Sequence, residues 1–185
     1  MAVYDPADDR FDICGVMGPD EYHDGYPDAP GTGLRNNAYT NVLAAWVLAR
    51  AEEAVTRLAC HDCDPLWRRL RLGAQEPARW ERLSRRLRIP FHDGVISQFE
   101  GYDALLEFDW DAYRGRYGNI GRLDLILQAE GDSTNRYRLS KQADVLMLFY
   151  LFSAEELRAL FARLGYELPA EMIPRTVAYY LARTS

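Results

Sequence analysis

Lysine is nearly missing from this chain: of its 22 basic residues only Lys141 is a lysine, and the others are arginine. A composition so skewed has either dispensed with lysine or kept it where a planar guanidinium will not serve. Cysteine is scarce as well. The three present, Cys14, Cys60 and Cys63, are too few and of the wrong parity for a disulfide framework, so a reducing compartment is expected. Long apolar runs are lacking: the longest, residues 145–152, falls far short of the ~20 residues a bilayer requires, and no membrane partner is expected. The N-terminus carries Asp5, Asp8 and Asp9 without a hydrophobic stretch behind a basic one, which is not a secretory pattern, and a cytoplasmic location is expected. Net positive charge is absent too. With 28 acidic residues against 22 basic ones the formal charge is −6, so no nucleic-acid partner is expected, since such partners call for a basic footprint.

What is present reads as one globular domain. The chain has 185 residues, 48% of them apolar, enough for a sizeable core. Glycine and proline interrupt any period over the first forty residues, leaving 11–16 as the single candidate strand there. A loop this long in a compact domain is functional or disordered. From Asn41 the apolar residues Val42, Ala45, Trp46, Ala49, Val55 and Leu58 recur at helical spacing, predicting an amphipathic helix that ends near residue 59. Further helices are predicted over 65–72 and 77–87, the latter with Pro77 in its first turn. Residues 89–109 read as extended and aromatic. Helices follow over 110–117, 122–130, 140–152, 154–164 and 170–183, with a capping box from Ser153 to Glu156 and Gly165 as a stop. The fold class is therefore mainly α, and chemistry is expected in the connections between helices.

Three polar constellations stand out, each with a plainer alternative. Gly18-Pro19-Asp20-Glu21-Tyr22-His23-Asp24 presents adjacent carboxylates, an aromatic and an imidazole on a rigid turn, as an active-site loop would and as a solvated acidic turn also would. Asn36-Asn37-Ala38-Tyr39-Thr40-Asn41 offers neutral amides suited to sugar hydroxyls, although Asn37, Thr40 or Asn41 could simply cap the helix that follows. In Ser140-Lys141-Gln142-Ala143-Asp144, an N-cap at Ser140 would put Lys141 in a first turn, where the helix dipole disfavours a cation. Either a Lys141–Asp144 pair offsets this, or the lone ammonium holds hydroxyl groups in a pocket. Cys60-His61-Asp62-Cys63 lacks a second pair at finger spacing, so no metal is expected. The arginine-rich stretch from Arg68 to Arg88, interleaved with Glu76 and Glu81, reads as a solvated helix face, with Trp67, Leu70, Trp80 and Leu83 as core.

Taken in order, Gly15-Val-Met-Gly-Pro-Asp-Glu-Tyr-His23, Leu34-Arg-Asn-Asn-Ala-Tyr-Thr-Asn41, Ile96-Ser-Gln-Phe-Glu-Gly-Tyr102 and Lys141-Gln-Ala-Asp-Val-Leu-Met147 resemble the catalytic domain of glycoside hydrolase family 65. That family contains maltose, trehalose, kojibiose and nigerose phosphorylases and some hydrolases. The resemblance implies part of an (α/α)6 barrel. It implies too that residues 1–185 are a fragment of the catalytic domain, with the N-terminal β-sandwich, the first half of the barrel and the family's Trp-Asp pair upstream, and a phosphate-binding loop rich in His and Ser just after Ser185. By motif, Glu21 is the general acid, and Lys141 and Gln142 bind the glycosyl unit at the cleaved end. Asn36, Asn37, Gln98, Tyr22 and His23 line or support the pocket, with Asp20 behind the acid.

The chemistry implied is inversion at an anomeric carbon: Glu21 protonates the departing glycosidic oxygen while a nucleophile attacks the opposite face. Glu21 must then stay protonated near neutral pH, through burial or a like charge such as Asp20 or a bound phosphate. The expected substrate is an α-glucosyl disaccharide, with inorganic phosphate as co-substrate, no cofactor, and β-glucose 1-phosphate as product. A hydrolase would instead need a second carboxylate to activate water. A homodimeric parent is a further expectation. In isolation the fragment is expected to be inactive, or a helical module that depends on a partner for its exposed apolar faces.

Overall fold

The computed structural model describes residues 2–20, 22–58 and 64–185. Glu21 and the Cys60-His61-Asp62-Cys63 segment lie outside the described residues. The chain opens with an antiparallel hairpin of β1 (Ala2–Asp5) and β2 (Arg10–Ile13), in a register running from Ala2↔Ile13 to Asp5↔Arg10. The first of these strands is not expected from the sequence. Its central residues Val3 and Tyr4 are 57% and 39% exposed, so β1 has no buried face to announce it. It is held from the side, with the Tyr4 ring 5.1 Å from Phe11 and the Arg82 guanidinium 4.5 Å above Tyr4.

Residues 14–20 and 22–37 are irregular but held by backbone hydrogen bonds. Val16 and Leu34 exchange backbone hydrogen bonds of 3.2 and 2.7 Å. Gly33 has φ of 78°, and a Cβ there would fall 2.5 Å from the Gly15 main chain, so only glycine lets the two ends of the loop pass.

Helix α1 (Ala38–Leu58) begins where Asn37 Oδ1 accepts the Thr40 N–H at 2.9 Å, and it buries Ala38, Asn41, Val42, Ala45 and Ala49 on one stripe. It packs against α3 (Glu76–Ser84), which follows α2 (Asp64–Leu70). The expectation that Leu70 belongs to the core fails. It is 54% exposed, and Trp67, Trp80 and Leu83 are only half-buried, because α2 and α3 lie at the edge with their arginines in solvent. The aromatic stretch then folds as a two-residue hairpin, β3 (Phe91–His92) with β4 (Val95–Ile96), and a 3-10 turn at Tyr102–Ala104.

Two short helices follow, α4 (Trp110–Tyr117) and α5 (Leu123–Ala129), and then three more: α6 (Asp144–Leu151), α7 (Ala154–Arg163) and α8 (Met172–Leu181). The capping box is present, with Ser153 N–H donating to Glu156 Oε2 and Glu156 N–H to Ser153 Oγ. By contrast, α6 does not start at Ser140. Ser140 is buried, its N–H donates to Arg183 O at 2.9 Å, and its backbone runs parallel to Thr184. Lys141 and Gln142 are therefore in a turn ahead of the helix rather than in its first turn, and the supposed dipole conflict does not arise.

The apolar residues form two clusters. The larger joins α1, α6, α7 and α8 to the 87–105 segment, around Leu34, Phe99, Tyr102, Phe161 and Tyr180. The smaller gathers Phe108, Ile120, Leu123, Leu127 and Leu139. The 18–24 loop is pinned at their seam: Tyr22 is buried in the smaller cluster, while the His23 ring stands edge-on to Phe99 and Tyr102 of the larger, at 5.1 and 5.9 Å. No described helix is long and apolar enough to cross a membrane.

Candidate functional site

Two of the segments singled out in the sequence, 96–102 and 141–147, meet Asp20, which is 2% exposed, and a third, 34–41, reaches it through Asp144. The Asp20 Oδ1 accepts the backbone N–H of Lys141 at 3.1 Å and of Gln142 at 3.5 Å. Its Oδ2 accepts from Gln98 Nε2 at 3.0 Å. The Asp20 N–H in turn donates to Asp144 Oδ1, and Asp144 Oδ2 accepts from Asn37 Nδ2 at 2.8 Å. Asn37 is thus both the cap of α1 and a tie to the 140–144 segment, a double duty that accounts for its complete burial.

Each element that supplies a partner is itself anchored. Gln98 N–H donates to the Tyr180 hydroxyl at 2.6 Å, and that hydroxyl donates to Ile96 O. The Ala38 N–H at the start of α1 donates to Gln98 O at 2.9 Å. Ser140, just before Lys141, is tied to the chain's end by the Ser185 N–H on its carbonyl at 3.1 Å. A site built this way is positioned by rigid elements rather than by a free loop.

The expected site residues divide by exposure. Lys141 is half-buried and Gln142 exposed, so both can meet a ligand, whereas Tyr22, His23, Asn36, Asn37 and Gln98 are buried. The Tyr22 hydroxyl lies 2.9 Å from Ser185 Oγ. His23 Nε2 is 3.1 Å from the Tyr137 carbonyl, which can only accept, so that nitrogen carries the proton. Its Nδ1 stands 3.7 Å from Asp20 Oδ2, beyond hydrogen-bond length. Asn36 has no capacity left for a sugar: Nδ2 donates to Asp12 Oδ1 at 2.9 Å and Glu100 Oε2 at 2.6 Å, while Oδ1 accepts from Ile13 N–H and Asn41 Nδ2. It underlies the loop from a distance.

Beneath that asparagine is an ion cluster that the sequence did not announce. Arg88 reaches three carboxylates, Asp5, Asp8 and Asp12, at 2.7–2.8 Å, and Arg35 pairs with Asp12 and Glu100. Burial alone would raise the Asp12 carboxyl, but its hydrogen bonds to Arg88, Arg35 and Asn36 outweigh this and hold it below the usual carboxylate range. Asp144 goes the other way. Burial, opposed by the Asn37 hydrogen bond and reinforced by the nearby Asp20 charge, pushes it up to about 6.

Sequence reasoning treated Asp144 only as a partner for Lys141, and the geometry gives it to Asp20 and Asn37 instead. A signal for this was present in Gly18. A Cβ at that position would sit 1.6 Å from Asp144 Oδ2, so the glycine marks the point where a distant side chain enters the loop. Among the described residues no group of three or more His, Cys, Asp or Glu side chains is arranged to hold a metal ion.

The chain is similar to several known proteins. The chain is 58% identical over its full length to an uncharacterized glycosyl hydrolase of Mycobacterium tuberculosis, spanning 14% of that protein. It is 37% identical over 96% of its length to trehalose 6-phosphate phosphorylase of Lactococcus lactis, spanning 22% of it. A solved candidate kojibiose phosphorylase from the human microbiome superposes with a TM-score of 0.67 over 99% of this chain and 21% of its own, at 20% identity. That last likeness concerns the fold, which is mainly helical and matches part of an (α/α)6 barrel. All 185 residues match the model of the glycosyl hydrolase family 65 central catalytic domain, and the chain belongs to that family.

Proposed function

We propose that this chain carries the general acid and the glucosyl-holding residues of an inverting disaccharide phosphorylase. Glu21 protonates the departing glycosidic oxygen, and Lys141 and Gln142 hold the glucosyl unit. Inorganic phosphate attacks the opposite face of an α-glucosyl disaccharide, and β-glucose 1-phosphate leaves. Phosphate arrives already anionic, so the reaction needs no protein base to activate the nucleophile. His23, Asn36, Asn37 and Gln98 act in this reading as supports beneath the site, and Tyr22 borders it. The chain is a part of the catalytic domain, and the remaining portions of the barrel supply the phosphate and acceptor sites.

The observation that carries the proposal is the Asp20 carboxylate on the Lys141 and Gln142 amides. It joins, across some 120 positions of chain, the residue that precedes Glu21 to the two residues expected to hold the sugar. Named relatives support the same chemistry, since trehalose 6-phosphate phosphorylase and the kojibiose phosphorylases match most of this chain. The test is phosphate-dependent release of glucose 1-phosphate from α-linked glucose disaccharides by the catalytically competent polypeptide, with Glu21→Gln as the control. Loss of general-acid help should cost on the order of 10²–10⁴-fold in kcat. An undiminished variant removes Glu21 from the role, and turnover that proceeds without phosphate selects a hydrolase, as the name of the mycobacterial relative suggests.

A helical module dependent on a partner is favoured by a separate observation. Tyr150 is 90% exposed, with Leu181 at 63%, Val47 at 55%, Leu151 at 46% and Trp46 at 39%. These lie on α1, α6 and α8, the helices that build the larger core.

A further inference from the structure

Two buried carboxylates bracket the contact between the 18–24 loop and the 140–144 segment, and they are wired in opposite directions. Asp20, on the loop, accepts main-chain N–H groups of the segment, and Asp144, on the segment, accepts the main-chain N–H of Asp20. Asp144 is 1% exposed, and its second oxygen is fixed by Asn37, whose own oxygen is committed to the start of α1. Its carboxylate also fills the space above Gly18 that any side chain at that position would need. Nothing in the fold of α6 calls for so buried an acid at its first residue, where a solvent-facing carboxylate would complement the helix dipole as well.

We propose that Asp144 is a positioning residue for the reaction: by accepting the Asp20 N–H while Asn37 holds its second oxygen, it sets the register of the loop bearing Glu21 against the turn bearing Lys141 and Gln142. The inference rests on the roles proposed above for those three residues. Asp144 acts through the Asp20 main chain, and a register error on the order of 1 Å between acid and sugar can cost about 10²-fold in rate. The groups facing it are the Asp20 carboxylate and His23 imidazole from the loop and Asn37 from the start of α1, with Lys141 and Gln142 preceding it on its own segment. Because burial pushes its carboxyl up to about 6, protonation weakens the bond to the Asp20 amide at mildly acidic pH, and the register loosens with it.

The direct reporter is the Asp20 amide proton, observed by nitrogen-15 NMR in the catalytically competent polypeptide. It should titrate with a midpoint near 6, moving upfield as Asp144 is protonated. In Asp144→Asn that titration should vanish and the amide's hydrogen-exchange protection should fall at least about tenfold, as expected when a charged acceptor is lost. In a preparation that turns over disaccharide, Asp144→Asn should lower kcat about 10²-fold with KM changed little, and the acid limb of the kcat profile should shift. An Asp20 amide indifferent to pH between 4 and 8, or a variant with wild-type kcat, overturns the proposal. Should Asp144→Asn fail to fold, the wild-type titration decides alone. If Glu21→Gln keeps full activity the acid assignment falls, while the Asp20 amide still reports separately on the wiring.

Discussion

Replacing Asn36 separates a support from a ligand contact, and the structure fixes what should happen. The side chain is fully buried and its backbone is left-handed, with φ of 51°. Removing the amide strips an acceptor from the Ile13 N–H and from one Asn41 Nδ2 proton, and a donor from Asp12 and Glu100. Asn41 keeps its bond to Arg88 O, and Asp12 keeps Arg88, so one buried and one partly buried N–H group are left without partners. At about 1–3 kcal/mol for each such group, Asn36→Gly should cost about 2–6 kcal/mol. Asn36→Ala should cost ~1 kcal/mol more, because glycine tolerates the left-handed backbone and alanine does not. Urea unfolding followed by far-ultraviolet circular dichroism gives both numbers. Against a total stability of about 5–15 kcal/mol the glycine variant should show a clearly lowered midpoint, with alanine lower still. Equal midpoints for the two variants would refute the backbone argument. A wild-type midpoint in either, together with weakened substrate binding, would mean that Asn36 touches sugar and that its hydrogen bonds to the protein are dispensable.

Two further outcomes follow from charge and from exposed surface. Asp12 is held below its ordinary range, so the stability it contributes is present above about pH 4 and is lost as pH falls through its lowered folded value. Asp144 is displaced from 3.8 to about 6, so its contribution is greatest below about pH 4 and is lost as pH rises to about 6, by on the order of 3 kcal/mol. Urea midpoints measured from pH 3 to 8 should therefore decline between 4 and 6 in the wild type but not in Asp144→Asn, and a flat wild-type profile there contradicts the burial argument. The exposed apolar side chains of α1, α6 and α8 should make the isolated chain self-associate at micromolar concentrations, and Tyr150→Glu with Leu181→Glu should suppress this in sedimentation velocity. A monomeric wild type with a sharp cooperative melt would count against a partner-dependent module.

The helices were readable because most of them rest on local rules. Ala154–Arg163 carries its start in the Ser153 and Glu156 pair, and Trp110–Tyr117 begins at Asp109, whose side chain accepts the Ala112 N–H. Where tertiary bonds outrank local ones, the sequence misled. Ser140 looks like an N-cap, yet its N–H goes to Arg183 O and the helix waits until Asp144. The Ala2–Asp5 strand was invisible because its packing comes from Arg82, far along the chain. In the site, the motif segments could be named from sequence, but not the bonds between them. Which carboxylate meets which amide, Asp20 on Lys141 and Asp144 on Asp20, depends on contacts more than 120 positions apart. The ion cluster of Arg88 with Asp5, Asp8 and Asp12 escaped for the same reason, since its members lie about 80 residues from their partner.

The near absence of lysine takes on a structural meaning once the arginines are placed. Arg88 spreads its three nitrogens over three carboxylates, Arg183 grips both oxygens of Glu107, and Arg122 does the same to Asp124. Others lie over rings, as Arg10 does above Tyr166 and Arg183 above Tyr179. These are tasks for a planar fork, and an ammonium would satisfy fewer of the partners in each. The turn at 140–142 is of another kind. Its amides are taken by Asp20 and the Ser140 carbonyl by the end of the chain, so the backbone is fixed, with the Lys141 side chain half-buried and Gln142 exposed. In the function proposed above, a compact, rotatable donor on an immobile base would follow the hydroxyls of a ring as it distorts toward an oxocarbenium ion, where a rigid fork would hold one geometry. In that proposed function the single lysine stands where a donor must adapt, and the arginines stand where the structure shows planar, multi-partner contacts.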